Sequence, residues 1–177
     1  MFCKTDRISL RQVEPSDVRL IYQWENDTRN WQVSDTITPL SQYHIEQFIL
    51  NAEDIFTAKQ LRLMIDYQEH DVKITVGAID LYDYDPRHRR AGVGILIDDA
   101  YRNKGFASEA LQLLEKYSFE ILCLHQLYCF VSEYNEASIA LFKRRKFELT
   151  GKRKQWILQE GKWIDQLQFQ IINPIVD

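Results

Sequence analysis

The residues best suited to chemistry are the run Arg102-Asn103-Lys104-Gly105-Phe106-Ala107, which lies between two contrasting segments. Residues 92–97 before it have the apolar pattern of a buried strand, and residues 108–117 after it have the pattern of an amphipathic helix. The first turn of a helix has backbone N–H groups without internal partners, and its dipole favours negative charge. Because Gly105 has no Cβ, a phosphate can approach the backbone closely there. The spacing therefore predicts a pyrophosphate-binding turn.

Gly105 also has a simpler interpretation, in which it only relaxes the turn from strand to helix. The phosphate-loop pattern Gly-x-x-x-x-Gly-Lys-Ser/Thr and the dinucleotide pattern Gly-x-Gly-x-x-Gly are both absent from the sequence. A nucleoside triphosphate or a dinucleotide is therefore less favoured than another phosphate carrier. A nucleotide-binding α/β domain is kept as a third and weaker interpretation.

The run Arg-x-x-Gly-x-Ala at 102–107 resembles the acetyl-CoA signature Gln/Arg-x-x-Gly-x-Gly/Ala of the GNAT family of N-acetyltransferases. Segments 117–119, 124–128, 135–138 and 146–151 are similar to the helix, strand, second motif and glycine-phenylalanine corner that follow in that family. The resemblance is specific from about Gly77 to the C-terminus and looser before it. The branch it most resembles holds ribosomal-protein N-terminal acetyltransferases and spermidine N-acetyltransferases.

This resemblance implies an α/β (α+β) fold, with a mixed, mostly antiparallel sheet, a splayed pair of parallel strands and flanking helices. It implies acetyl-CoA as cosubstrate, bound between the strand at 92–97 and the strand at 126–131. By resemblance, the residues that contact acetyl-CoA are Ile95, Leu96 and Ile97 along the pantetheine, Arg102, Asn103, Lys104, Gly105, Phe106, Ala107 and Ser108 around the pyrophosphate, and Asn135 and Phe142 beside the far end of the arm.

The positions for proton transfer depart from the family pattern. Phe142 stands where many relatives have a tyrosine, and a phenylalanine cannot donate a proton. Gly92 stands where many relatives have a glutamate, so that candidate base is missing too. Tyr134 is the candidate acid and Asp83 the candidate base, and for each the alternative is a surface role. Other proton acceptors beside the predicted cleft are an ordered water and the carboxylates Asp80, Asp85 and Glu133.

Hydrophobic periodicity predicts the elements that position these residues. The predicted strands are 8–13, 60–66, 72–82, 92–97, 126–131, 154–158 and 163–171, and the predicted helices are 18–26, 41–50, 108–117 and 136–145. Asn135 is the predicted N-cap of the last helix. Gly77 lies at a change of apolar phase, which predicts a bulge or the close approach of another backbone. Residues 83–90 are predicted to form a charged loop.

Composition limits the class of protein. At 177 residues and 45% hydrophobic content, the chain is predicted to form one globular domain, 1–177. The net charge of −4 argues against nucleic acid as a main partner. Cys123 and Cys129 lie in apolar runs, which favours buried thiols over a disulfide or a metal site. With no signal-like start and no run of about 20 apolar residues, we expect a cytoplasmic protein without a membrane partner.

Two functional hypotheses of different classes follow. The first is an acetyl-CoA-dependent N-acetyltransferase that acetylates a primary amine by direct attack in a ternary complex. The acceptor is a polyamine, a protein N-terminus or a small amine, and assembly into a homo-oligomer is left open. The second is a domain that binds acyl-CoA as a sensor or assembly module with little or no turnover, which Phe142 and Gly92 favour.

Overall fold

The computed structural model describes residues 3–31, 38–51 and 54–174, and its framework is one seven-stranded sheet. The strands are β1 (Ile8–Gln12), β2 (Leu61–Glu69), β3 (Val72–Asp85), β4 (Arg90–Ile97), β5 (Gln126–Ser132), β6 (Glu148–Gln159) and β7 (Lys162–Ile172). Their order in the sheet is β1-β2-β3-β4-β5-β7-β6. β4 and β5 pair in parallel, and the other neighbouring strands pair antiparallel. The mixed, mostly antiparallel sheet predicted from the sequence is confirmed.

The described helices lie on both faces of this sheet. They are α1 (Val18–Glu25), α2 (Thr28–Trp31), α3 (Gln42–Leu50), α4 (Ile55–Ala58), α5 (Phe106–Lys116) and α6 (Glu136–Arg144). A π-helical turn, Tyr117–Ile121, continues α5. The segment at 28–40, for which the sequence predicts no regular structure, begins with the short helix α2, and its residues 32–37 lie outside the described part of the chain.

Because successive side chains of a strand point to opposite faces of the sheet, the apolar core forms two clusters. Met64 and Ala78 belong to a smaller cluster with Trp24 of α1 and Ile45 of α3, and we call this side the α1–α3 face. The neighbouring residue Ile79 belongs to a larger cluster on the opposite side, the α5 face. Members of that larger cluster include Leu81, Val93, Leu127, Phe142 and the buried residues of α5. The sheet is therefore covered by different helices on its two faces.

The start of α5 is fixed by packing. Phe106 is only 2% exposed, and its ring lies 4.8 Å from that of Tyr67 on β2. Ala110 and Leu114, one and two turns further on, are fully buried against the sheet. The helix therefore begins at Phe106, and the start predicted at Ser108 is too late.

The parallel ladder between β4 and β5 is short. Its paired residues are Arg90 with Gln126, Ala91 with Leu127 and Gly92 with Tyr128. Beyond these pairs, β4 continues to Ile97 beside β3, and β5 continues to Ser132 beside β7. The two strands therefore diverge toward their C-terminal ends. We call the space between residues 93–97 and 129–132 the β4–β5 gap, and the point where pairing stops, at Gly92 and Tyr128, its vertex.

Gly77 behaves as the sequence predicts. The register between β2 and β3 shifts next to it, between Ile65 and Asp66. A Cβ at Gly77 would lie 2.3 Å from the carbonyl oxygen of Leu96 on β4. The close backbone approach and the bulge are both confirmed.

Three other predictions are wrong. Residues 83–90 are not all loop, because β3 extends to Asp85 through a register shift and β4 begins at Arg90. The strand predicted at 154–158 is too short, because β6 begins at Glu148 and ends at Gln159. Cys123 is exposed, since the chain there takes up a turn with a positive φ of 52° after the π-helical segment, whereas Cys129 is buried as predicted.

Candidate active site

The N-terminal end of α5 presents free backbone donors. Gly105 is the N-cap residue with a φ of 86°, and no side chain caps the helix. The N–H groups of Ser108 and Glu109 donate to the carbonyl oxygen of Gly105 at 3.1 and 3.2 Å. Within the described ranges, no group accepts a hydrogen bond from the amides of Phe106 and Ala107. A Cβ at Gly105 would have no atom within 4 Å, so the space in front of these amides is open.

Ion pairs and hydrogen bonds hold the loop that precedes α5. Arg102 Nε donates to the carbonyl oxygen of Ile97 at 3.2 Å, and its guanidinium pairs with Asp99 at 2.7 Å. Arg7 of the N-terminal segment donates to the carbonyl oxygen of Lys104 at 2.9 Å. Arg102 and Lys104 are both exposed, so two cations stand beside the free amides. This combination suits an anionic phosphate group.

On the β4 side of the gap, alternate backbone groups face away from β3, and one of them, the carbonyl oxygen of Ile97, accepts from Arg102 Nε. Asp98 N donates to the carbonyl oxygen of Val76 at 2.9 Å, which shows which groups of β4 face β3. Because these groups alternate along an antiparallel ladder, Ile95 and Ile97 direct theirs into the gap. Leu96 directs its backbone groups to β3, and its side chain packs on the α1–α3 face. Of the three residues predicted to contact the pantetheine, Ile95 and Ile97 therefore form the edge of β4 that faces the gap.

The β5 side of the gap follows the same rule. Glu133 N donates to the carbonyl oxygen of Asp165 on the β7 side at 3.1 Å. Gln126 N donates to the carbonyl oxygen of Arg89, next to β4, at 3.3 Å. Even-numbered residues of β5 therefore direct their backbone groups toward β4, and the N–H of Phe130 faces the gap just beyond the vertex.

Tyr82 of β3 lies across the vertex. It pairs with Gly92, and a Cβ at Gly92 would lie 2.2 Å from Tyr82 Cε2 and 2.3 Å from Cζ. Its ring meets that of Tyr128 edge to face at 6.0 Å, and Tyr128 meets Phe130 at 5.5 Å. Burial raises the pKa of Tyr82, a hydrogen bond from the Phe130 backbone acts in the opposite direction, and burial prevails. The phenol is therefore protonated at neutral pH.

Tyr82 is not among the functional candidates predicted from the sequence. The available signal was the glycine at position 92, where a side chain is usual in the family. That signal becomes informative only when the register of β3 and β4 is known, because the register places the Tyr82 ring over the missing side chain.

Most described carboxylates along the gap, from the vertex to its open end, are engaged in ion pairs. Asp80 and Glu25 pair with Arg62, Glu133 and Asp165 pair with Lys152, and Asp85 pairs with Arg90. Asp83 differs, since it is exposed and has no ion pair or hydrogen bond within the described residues. Its φ of 49° accompanies the register shift in β3. Asp83 directly follows Tyr82, which pairs with Gly92, so it lies near the vertex. The pKa of Tyr128 is raised first by burial and then by the charge of Asp83.

The remaining predicted residues lie at the C-terminal end of β5 and on α6. Tyr134 lies in the turn that follows β5 and is 69% exposed. Asn135 caps α6, as predicted, and its side chain accepts a hydrogen bond from Ser138 N at 3.1 Å. Phe142 is buried on the α5 face, where its ring meets that of Phe147 at 5.1 Å. Tyr134 and Asn135 therefore lie at the open end of the gap, and Phe142 lies in the core.

Two other features are absent from the described part of the chain. No group of three or more His, Cys, Asp and Glu side chains there could hold a metal ion. No described helix has the length and apolar character needed to cross a membrane.

Known proteins share this architecture along nearly the whole chain. The uncharacterized N-acetyltransferase YoaA of Bacillus subtilis is 29% identical over 176 residues, covering 97% of this chain and 96% of that protein. The spermidine N(1)-acetyltransferase of Escherichia coli is 25% identical over 169 residues, covering 94% of this chain and 86% of that protein. The crystal structure of spermidine N-acetyltransferase from Vibrio cholerae in complex with CoA and spermine has the same fold, with a TM-score of 0.85 at 24% identity, covering 96% of this chain and 97% of that one.

The family model for the acetyltransferase (GNAT) domain matches residues 7–148, which is most of the chain. The splayed strand pair and the uncapped helix start both lie within this match. The chain therefore belongs to the GNAT family and is an N-acetyltransferase.

Proposed function

We propose that this chain transfers the acetyl group of acetyl-CoA to a primary amine by direct attack of the amine in a ternary complex. The proposal rests on one observation, which is that the edge of β4 facing the gap leads directly to the free amides of α5. This edge ends at Ile97, and the loop 98–105 connects it to those amides. A thioester with a diphosphate at one end of a long arm needs an anion site joined to a slot lined by backbone donors and acceptors.

The chain has residues suited to each part of acetyl-CoA. The proposed pyrophosphate site consists of Arg102, Asn103, Lys104, Gly105, Phe106, Ala107 and Ser108. Ile95 and Ile97 supply backbone hydrogen bonds to the pantetheine, and Leu96 holds the strand against the α1–α3 core. Asn135 flanks the arm from the β5 side. Phe142 supports that side from within the core.

The acceptor is proposed to present a single amine. Within the described residues around the vertex, Asp83 is the carboxylate that stands apart from the ion pairs. A polycation would have to displace Arg62, Lys152 or Arg90 from their partners, whereas one ammonium group needs Asp83 alone. A protein N-terminus or a small monoamine therefore fits better than a polyamine. The spermidine acetyltransferases among the relatives make spermidine the reference acceptor for the test.

Two side chains are proposed to handle protons. Asp83 takes the proton of the acceptor ammonium, directly or through water, so that the neutral amine can attack. Tyr134, at the open end of the gap, donates a proton through water to the thiolate of CoA after the C–S bond breaks. Both groups are exposed and can exchange protons with solvent.

The test is release of free CoA from acetyl-CoA in the presence of spermidine, a peptide with a free N-terminus and a small monoamine. We expect acceptor-dependent release, with the larger kcat/KM for the peptide or the monoamine. A larger kcat/KM for spermidine would contradict the proposed acceptor class. Tight acetyl-CoA binding without acceptor-dependent release would favour the alternative, an acyl-CoA-binding sensor or assembly module.

Self-association is proposed to involve the β6–β7 hairpin. Trp156, Leu158 and Trp163 on this hairpin are 58%, 59% and 61% exposed. A spermidine N-acetyltransferase of Vibrio cholerae has a dodecameric structure. Sedimentation should detect an oligomer that Trp163→Lys dissociates, and a monomer at all concentrations would contradict the proposal.

The three cysteines are free thiols, which suits the proposed cytoplasmic location.

A further inference from the structure

We infer that the hydroxyl of Tyr82 donates a hydrogen bond to the carbonyl oxygen of the acetyl group being transferred, which makes Tyr82 a catalytic residue. The inference rests on the proposed function, because it requires the thioester to reach the vertex of the β4–β5 gap. It adds a side chain from β3 to a site that is otherwise built from β4, β5 and α5.

The Tyr82 side chain extends over β4. Tyr82 and Gly92 are paired residues on β3 and β4, so their side-chain positions lie on the same face of the sheet. The hydroxyl-bearing carbon Cζ lies 2.3 Å from the place that a Cβ of Gly92 would occupy. The ring therefore crosses β4 through the space left by the missing side chain. Its hydroxyl end points toward β5 at the vertex.

A backbone donor also lies near the phenol oxygen. The N–H of Phe130 faces the gap and acts to lower the pKa of Tyr82, against the larger effect of burial. In a continuous parallel ladder this N–H would bond to β4, but the ladder stops at Gly92 and Tyr128. The divergence of the strands therefore leaves the Phe130 N–H as a donor for the Tyr82 oxygen. An oxygen that accepts such a bond keeps its own proton available for an acceptor in the gap.

Acetyl transfer requires a hydrogen-bond donor beside the acetyl carbonyl oxygen. The amine nitrogen forms a bond to the acetyl carbon, and the carbonyl oxygen gains negative charge. That charge then returns to re-form the C=O bond, and the C–S bond breaks with its electron pair going to sulfur. The nitrogen loses its remaining excess proton to water, and the sulfur takes up a proton. Tyr82 keeps its proton throughout and stabilises the oxygen while it carries charge. Burial, together with Tyr128, Cys129 and Asp83, raises the pKa of the phenol, so that it stays a donor at neutral and mildly alkaline pH.

The primary test is Tyr82→Phe, which keeps the ring over Gly92 and removes the hydroxyl. We expect kcat to fall about 100-fold, as for loss of one oxyanion donor, while the Kd for acetyl-CoA stays within about twofold. The matched control is Tyr84→Phe, on the same strand but buried on the α5 face, which should keep the wild-type kcat. An unchanged kcat in Tyr82→Phe would overturn the inference.

The second test does not depend on turnover. In protein with ¹³C-labelled tyrosine Cζ, the Tyr82 resonance is identified as the one absent from Tyr82→Phe. We expect it to shift when acetyl-CoA is added without an amine, and to shift less with CoA, which lacks the acetyl carbonyl. Two results would overturn the Tyr82 inference alone. One is an equal Tyr82 shift with acetyl-CoA and with CoA, and the other is no Tyr82 shift although the Gly105 amide responds to both ligands. No response anywhere would mean that neither ligand binds, which overturns the proposed function as well.

Discussion

The two ends of the β4–β5 gap are built from different parts of the chain. At the end next to α5, the donors are consecutive backbone amides, and their arrangement depends on the local conformation at Gly105. At the vertex, the groups are side chains of Tyr82 and Asp83 placed by the register of β3, β4 and β5. The backbone end depends on one short segment. The vertex depends on contacts between strands that are distant in sequence, so the two ends should respond differently to mutation.

The largest effect is expected from a side chain at Gly105. Gly105→Val imposes a branched side chain on a φ of 86° and fills the open space before the amides. Loss of two charge-assisted hydrogen bonds should raise the Kd for CoA about 100-fold, measured by isothermal titration calorimetry. The matched control is Gly161→Val in the β6–β7 turn, where φ is 77° and a Cβ likewise meets no atom within 4 Å.

Both valine variants should lose about 2 kcal/mol of unfolding free energy, because the backbone strain is similar. CoA affinity should fall in Gly105→Val alone. Equal loss of CoA affinity in both variants would mean that strain, and not the free amides, explains the effect.

A methyl group at Gly92 should disturb the vertex through Tyr82. Gly92→Ala places a Cβ 2.2 Å from the Tyr82 ring, which overpacks the site and should cost about 2 kcal/mol of unfolding free energy. Gly94→Ala is the matched control on the same strand, since its Cβ would meet Asp80 at an ordinary 3.8 Å. In a Tyr82→Ala background the cost of Gly92→Ala should largely disappear. Additive effects in urea unfolding would argue against the contact.

Tyr134→Phe tests the proton donor at the open end of the gap. Since Tyr134 is 69% exposed, water can replace part of its role, and we expect kcat to fall about tenfold. The KM for acetyl-CoA should not change. If Tyr134→Phe has the wild-type rate at saturating amine, Tyr134 has no part in the mechanism.

The smallest effect is expected at Asp83. Its charge is exposed, and water can replace it as the proton acceptor, so Asp83→Asn should mainly raise the KM for the amine, about fivefold, as expected for an exposed ion pair. CoA affinity should stay the same. Asp71→Asn, an exposed carboxylate in the β2–β3 turn, is the control. Equal KM values in all three proteins would show that the acceptor is held elsewhere.

The same contrast explains what the sequence could predict. The turn into an uncapped helix start at Gly105 was predictable from the glycine and the adjoining strand and helix patterns, because local conformation determines it. Gly77 was predictable for the same reason, since a break in apolar phase marks a bulge. The splay of β4 from β5 came from family resemblance, because no residue pattern states where a parallel ladder stops.

The vertex could not be predicted from local patterns. Asp83 was placed in a charged loop, whereas the structure keeps it in β3 with a φ of 49° and so beside Tyr128. Tyr82 was missed because its position depends on a glycine in the next strand. A pattern of alternating residues shows which face a side chain occupies, but not which residue lies opposite.

The most direct test of the account is a titration of the amide-labelled protein with CoA, followed by ¹H–¹⁵N correlation spectra. We expect the resonances of Gly105, Phe106 and Ala107 to shift together and to saturate at one Kd, while Gly161 does not move. If CoA binds and these three resonances stay in place, its diphosphate lies elsewhere, and the proposed cofactor site is wrong.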